Sequence, residues 1–332
     1  MTEVDATVRA TERWLDAHGL PWFVDGRRAA VRRRLSRGHL VRVGLAALLV
    51  AVAVGVAVGW WSEDTSLGLA WGETVFGGLV AIWALRSLYG AAVLGWAARR
   101  TLGSLGLLLP LAARALPLLL LFMTFLFINT EVWQVASTLR GGVLWQAVLL
   151  FAVIAVLFLL ARLPEELEEY DQELTADGIV EACRRTPVEA TAAELDLTEQ
   201  LVLDHSDVVG LERGNLVLVL LITQAIQVLL LSVAVWIFFL VFGTVAINDA
   251  VIESWVGEAP HYLFGTHLVS RELVQVSTFL AAFAGLYFTV YAVTDTNYRR
   301  QFFTAIRREL ERAVSVRLVY RALLESCERH AG

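Results

Sequence analysis

Six stretches of this chain run for about 20 residues or more with almost no charge: Val41 to Trp61, Val75 to Ala98, Leu116 to Ala136, Val143 to Ala161, Leu216 to Ile247 and Leu273 to Val293. Crossing about 30 Å of hydrocarbon takes roughly 20 apolar residues as helix, and a backbone exposed to lipid must satisfy its own hydrogen bonds. The stretches therefore predict an all-α polytopic membrane protein, a bundle of about six transmembrane helices. With 57% of its 332 residues hydrophobic and 18% charged, the chain is too apolar for soluble domains of that length.

Arginine placement sets the expected direction. The N-terminal arm (residues 1–40), Arg99-Arg100, Arg162 and the tail "YRRQFFTAIRRELER" all fall on one side, and positively charged short loops stay cytoplasmic. Both termini are thus expected in the cytoplasm, with amphipathic helices at both ends. Tryptophans agree, since Trp60, Trp61, Trp71, Trp133, Trp145 and Trp255 fall at the outer ends of the spans, where indole favours the interface. No short apolar core of a signal peptide precedes the first run, which is expected to stay in the mature chain.

The remaining segments divide accordingly: transmembrane helices one to four over 41–161, a cytoplasmic helical insertion over 162–214, helices five and six over 215–294, and an amphipathic basic helix over 295–332. Residues 101–116, just before Pro117, are apolar but broken by Pro110 and carry Arg114. They suit an interfacial or re-entrant piece, or a kinked entry to the third span with Arg114 snorkelling. The fifth run is about 32 residues, roughly 48 Å as helix, so it must tilt, bend near Gly243 or project beyond the bilayer. In the tail, Phe303, Ile306, Leu310 and Ala313 recur at helical spacing among arginines, a face for the membrane surface or for the N-terminal arm.

Chemistry finds little purchase. All 27 Lys+Arg residues are arginine, which excludes a P-loop lysine and a Schiff-base amine. The two cysteines, Cys183 and Cys327, and the six histidines form no zinc spacing, and no cofactor or metal is expected. The basic tail lacks a stacking platform, so nucleic acid is not an expected partner.

One charge stands out. Read by the limits of its apolar run, Arg86 lies about 19 Å from either end, near the midplane, where an arginine costs at least about 2.5 kcal/mol and marks a functional site by default. Gln224 and Gln227 reach a similar depth on one face of the fifth span, and Glu131 lies towards the outer end of the third. A route lined by Arg86, Gln224 and Gln227, with Glu131 and Arg114 as further polar residues of the membrane core, would carry a small ion or solute, an anion if Arg86 is not paired with Glu131. The alternative is an arginine that only ties helices together. Small residues recur every fourth position at Ala51, Gly55 and Gly59, at Ser87, Ala91 and Gly95, and at Ser277, Ala281 and Gly285, which predicts close helix contacts.

The stretches "RWLDAHGLPWFVDGRRAAVRRRL", "RGNLVLVLLITQAIQVLLLS" and "FFTAIRRELERAVSVRLVYRALL" resemble uncharacterised multi-pass membrane proteins of high-GC actinobacteria. The resemblance covers the two ends and the fifth span. It implies a bacterial plasma membrane and supplies no site residues. The sequence thus predicts a protein in a lipid bilayer, a homo-oligomer or a member of a membrane complex, that forms or gates a pathway. A non-catalytic scaffold or accessory subunit is the other reading.

Overall fold

In the computed structural model, residues 3–103, 119–139, 142–171, 176–195, 208–263, 268–294 and 311–325 are described. Among them every regular element is a helix, and the only strand-like pairing is a single bridge between Tyr262 and Ser270. Arg114, most of the 101–116 segment, the tail positions Phe303, Ile306 and Leu310, and Cys327 lie outside the described residues. Five helices are long and apolar enough to cross a membrane, or six if a bent pair counts as one span.

The N-terminal arm is helix α1 (Glu3–Ala17), a single turn at Pro21–Phe23 and α2 (Asp25–Arg34). Next come α3 (Arg37–Ser62) and α4 (Thr65–Ser87), joined by a two-residue turn. Glu63 takes a left-handed conformation, φ 55°, and the Asp64 carboxylate accepts from the Ser66 and Leu67 amides at 2.9 and 3.2 Å, capping α4. The chain doubles back and the two helices pack along their length. Ala51, Gly55 and Gly59 of α3 meet Gly68 and Gly72 of α4 with backbone against backbone: a Cβ on Gly68 would sit 2.6 Å from the Gly55 carbonyl oxygen.

The second expected span is corrected here. The helix starts ten residues before Val75 and stops at Ser87, because Tyr89 turns left-handed, φ 58°. Gly90 then folds against Leu85 and Ala84, 3.1 and 3.2 Å from where its Cβ would be, and α5 (Gly90–Gly103) begins. The break also divides the small-residue stripe, leaving Ser87 on one helix and Ala91 and Gly95 on the next. A Cβ on Gly95 would meet only the Arg99 side chain, at 3.7 Å.

Helices α6 (Leu119–Phe127) and α7 (Thr130–Thr138) meet at 74°, with Asn129 capping α7. The chain continues with α8 (Gly142–Asp171), α9 (Ala176–Ala182), α10 (Glu189–Glu194), α11 (Leu211–Ala246), α12 (Asp249–Val256), α13 (Arg271–Thr294) and a final helix, α14, over residues 311–325. Its 36 residues make α11 about 54 Å long, more than a bilayer's hydrocarbon. At its N-terminal end Glu212, Asn215, Leu216 and Leu220 are buried, with Asn215 bonded to Trp22 of the N-terminal arm and Glu212 to Arg317 of α14. The helix continues through Gly243 to Ala246, and Gly243 lies against Phe127 and Leu273.

Two apolar cores result. One, at the end bearing α1 and α14 and called here the near side, joins Leu15, Phe23, Val93, Leu163, Ile179, Leu216 and Val319. The other, at the far side, joins Met123, Phe127, Trp133, Val235, Phe239, Leu273 and Leu280. Trp133 is fully buried there, donating its indole N–H to the Phe127 carbonyl at 2.6 Å and packing on Trp255. Trp60 and Trp61, by contrast, are fully open at the α3–α4 turn. Ala281 is buried, and Gly285 receives Ser232 of α11 where a Cβ would stand, so this stripe does seat one helix on another.

Candidate functional site

Arg86 occupies the last turn of α4 and is exposed. Arg34 of the N-terminal arm donates to the neighbouring Ser87 carbonyl at 2.6 Å. The central position read from the apolar run is therefore corrected: the helix break puts this arginine in the last turn of α4, where a cation favours the negative end of the helix dipole. Glu131 is exposed in the first turn of α7 and belongs to the far side. Of the residues expected to line one route, Gln224 is completely buried midway along α11, and neither end of its amide has a hydrogen-bond partner. Gln227 is half-buried, with its carbonyl oxygen also unpaired. Thus the two glutamines share a level as expected, while Arg86 and Glu131 sit at opposite ends of the molecule.

A different polar centre organises the near side. Glu212, in the first turn of α11, is 2% exposed. Its Oε2 accepts from Arg317 Nε at 2.9 Å and Nη2 at 2.7 Å, and its Oε1 from Arg321 Nη2 at 2.9 Å and from Arg28. Arg28 also pairs with Asp25. The guanidinium fork matches a carboxylate geometrically, and three such forks saturate its lone pairs. Arg317 is itself 2% exposed; burial lowers its pKa most strongly, and the Glu212 carboxylate opposes that shift.

One turn along α11, Asn215 is fully buried and clamps the arm's turn: its side-chain oxygen accepts from the Trp22 amide and its nitrogen donates to the Gly19 carbonyl, both at 2.9 Å. The Trp22 indole donates to the Leu88 carbonyl at 2.8 Å, which ties the arm to the α4–α5 break. Tyr320 donates to Glu12 at 3.0 Å, and burial, followed by Glu12, raises its pKa. Arg312 lies 5.8 Å over the Trp14 ring and donates to the Arg184 carbonyl at 2.9 Å. The N-terminal arm, the α4–α5 turn, the base of α11, the central insertion and α14 are thus fastened together.

Sequence inspection did not single out Glu212, Asn215, Arg28, Arg317 or Arg321. The available cue was "GLERGN", an acidic residue at a helix start one turn before an asparagine. Its partners stand more than a hundred residues away in the chain, except that Arg317 and Arg321 share a helix face.

What the centre does in this arrangement is clamp distant segments together. Both carboxylate oxygens are engaged by the three arginines. Cys183 is buried in the same core, and burial pushes its thiol up to about 12. In a Cys327→Ser variant, a maleimide at pH 8 is therefore expected to leave Cys183 unlabelled until denaturant is added; rapid labelling of the folded protein would show that this core opens. Among the described residues no group of three or more His, Cys, Asp and Glu could hold a metal ion. None of the protein-family models, curated proteins or solved structures compared with the chain matches it.

Proposed function

We propose that the protein is a non-catalytic membrane scaffold or accessory subunit whose near-side platform docks a partner. The observation that carries this reading is the Glu212 centre, which gathers three segments distant in sequence onto the projecting end of the longest helix. A long helix that continues past the lipid and is fastened at its base to the N-terminal arm and α14 is a rigid mount. Around it Arg32, Arg33, Arg37, Arg42, Arg99 and Arg100 are exposed. Their number supports placing this side in the cytoplasm of a bacterial plasma membrane, and leaves cationic surface for an acidic partner or anionic headgroups.

A second reading, a pathway for a small ion or solute, rests on Gln224, whose buried and unbonded amide is costly unless something polar visits it. The two are separable by introducing a photo-crosslinking residue at Arg33, at Arg99 or at the far-side Val245, in native membranes. The scaffold reading expects protein adducts of discrete mass from the first two positions and none from the third. Lipid adducts alone from all three would remove it. Proteoliposomes whose ion leak falls on Gln224→Leu would instead favour the pathway.

A further inference from the structure

Moving Arg86 to a helix end leaves another charge inside. Glu73 is exposed on α4, three residues from the centre of its 23-residue length and so about 4.5 Å from the middle. A second ruler agrees: the adjacent Gly72 packs on Ala51, where its Cβ would lie 3.2 Å from the carbonyl oxygen. Ala51 stands at the middle of the uncharged part of α3, between Arg42 and Ser62. Across the five candidate spans, Glu73 is the only Asp, Glu or Arg more than two turns from an end. No described residue bonds its carboxylate. It opens onto an apolar groove of about 770 Å³ running along the hairpin and floored by Ala51, Gly55, Gly59, Gly68 and Gly72.

A carboxylate at that depth is expensive unless paired, and acidic residues in spans face a partner or water. The groove's glycine floor lets a helix backbone approach closely. Among the described residues a second copy brings no cation to this level from any of the five spans, which favours a different chain as the source of the complementary charge. We propose that the α3–α4 hairpin is the docking face for a partner transmembrane helix that carries an arginine or lysine near its midpoint. That helix would lie in the groove and pair its cation with Glu73 by charge-assisted hydrogen bonds. The inference rests on the scaffold reading and names the chemistry of one partner.

The test uses the full-length protein, dye-labelled at its N-terminus, in phosphatidylcholine vesicles with synthetic polyleucine helices whose central residue is arginine, glutamine or leucine. Energy transfer should report binding of the arginine peptide on the order of tenfold tighter than the leucine peptide. Glu73→Gln should reduce the arginine peptide to the leucine level, and Glu73→Arg should transfer the preference to a central-glutamate peptide. Because Glu73 is exposed and unbonded, both variants are expected to fold. Equal binding of all peptides, or an unchanged preference in Glu73→Gln, would overturn the proposal. So would Glu73-dependent energy transfer between labelled copies, which would make the occupant the protein itself. Loss of crosslinks at Arg33 and Arg99 with the peptide preference intact would instead count against the near-side platform, so the two failures are distinguishable.

Discussion

Glu212→Gln is expected to release α14 from the base of α11 and to destabilise the near-side core by about 3 kcal/mol, because removing one member of a buried ion cluster strands the others. The variant keeps the shape of the side chain but leaves Arg317, 2% exposed, with no carboxylate beside it. Arg28 and Arg321 are partly open and can turn to water, so Arg317 bears most of the cost. Trypsin provides the readout, since it cuts after arginine and the folded cluster shields Arg317. Rapid cleavage at Arg317 and Arg321 in Glu212→Gln, with wild type resistant in the same detergent, is the expected pattern. A double variant, Glu212→Leu with Arg317→Leu, should recover much of the protection at Arg321, the site that remains, because an apolar pair replaces two desolvated charges. Equal resistance of wild type and Glu212→Gln would mean that the apolar core around Leu216 and Val319 holds the platform without the charges.

The Glu212 centre also shows where sequence reasoning loses its grip. Apolar length and helical periodicity are local, and they brought out the long helices and the stripe Ala51–Gly55–Gly59, which does meet glycines of the next helix. Charge was the poorer ruler for helix ends. The apolar run from Val75 to Ala98 left Glu73 outside and put Arg86 in the interior, whereas the cap at Asp64 and the left-handed Tyr89 before Gly90 put the ends elsewhere. Both are local signals: "SEDTS" carries a capping aspartate and "LYG" a glycine that admits a tight turn. Hydropathy averaged over about 20 residues outweighs such short signals, and a shift of nearly half a span exchanges a midplane charge for one at a helix end. Pairings such as Arg28 with Glu212 leave no local pattern, since they depend on how distant helices close. The fold class was thus legible from one-dimensional periodicity, while the polar centre required the three-dimensional path.

The hairpin that presents Glu73 depends on Gly68 more than on any apolar contact, and Gly68→Val should expose that dependence. Its new Cβ would stand 2.6 Å from the Gly55 carbonyl oxygen and 2.9 Å from the Gly59 Cα. Both obstacles are backbone, so no side-chain rotation relieves them, and α3 must move away from α4. Overpacking of this kind costs about 1–3 kcal/mol, and the upper end applies where whole helices must part. Lipid compensates little, since it solvates the separated apolar faces but cannot restore the dispersion contacts between them. Gly77→Ala on the same helix is the control, because open space surrounds its Cβ and alanine is the better helix former. In one detergent, Gly68→Val should melt well below wild type, while Gly77→Ala melts at or slightly above it. The widened groove should also lose its preference for the central-arginine peptide although Glu73 is intact, because the cation can no longer be held at hydrogen-bonding distance. If Gly68→Val melts with wild type and keeps the preference, helix contact at these glycines is not what fixes the hairpin.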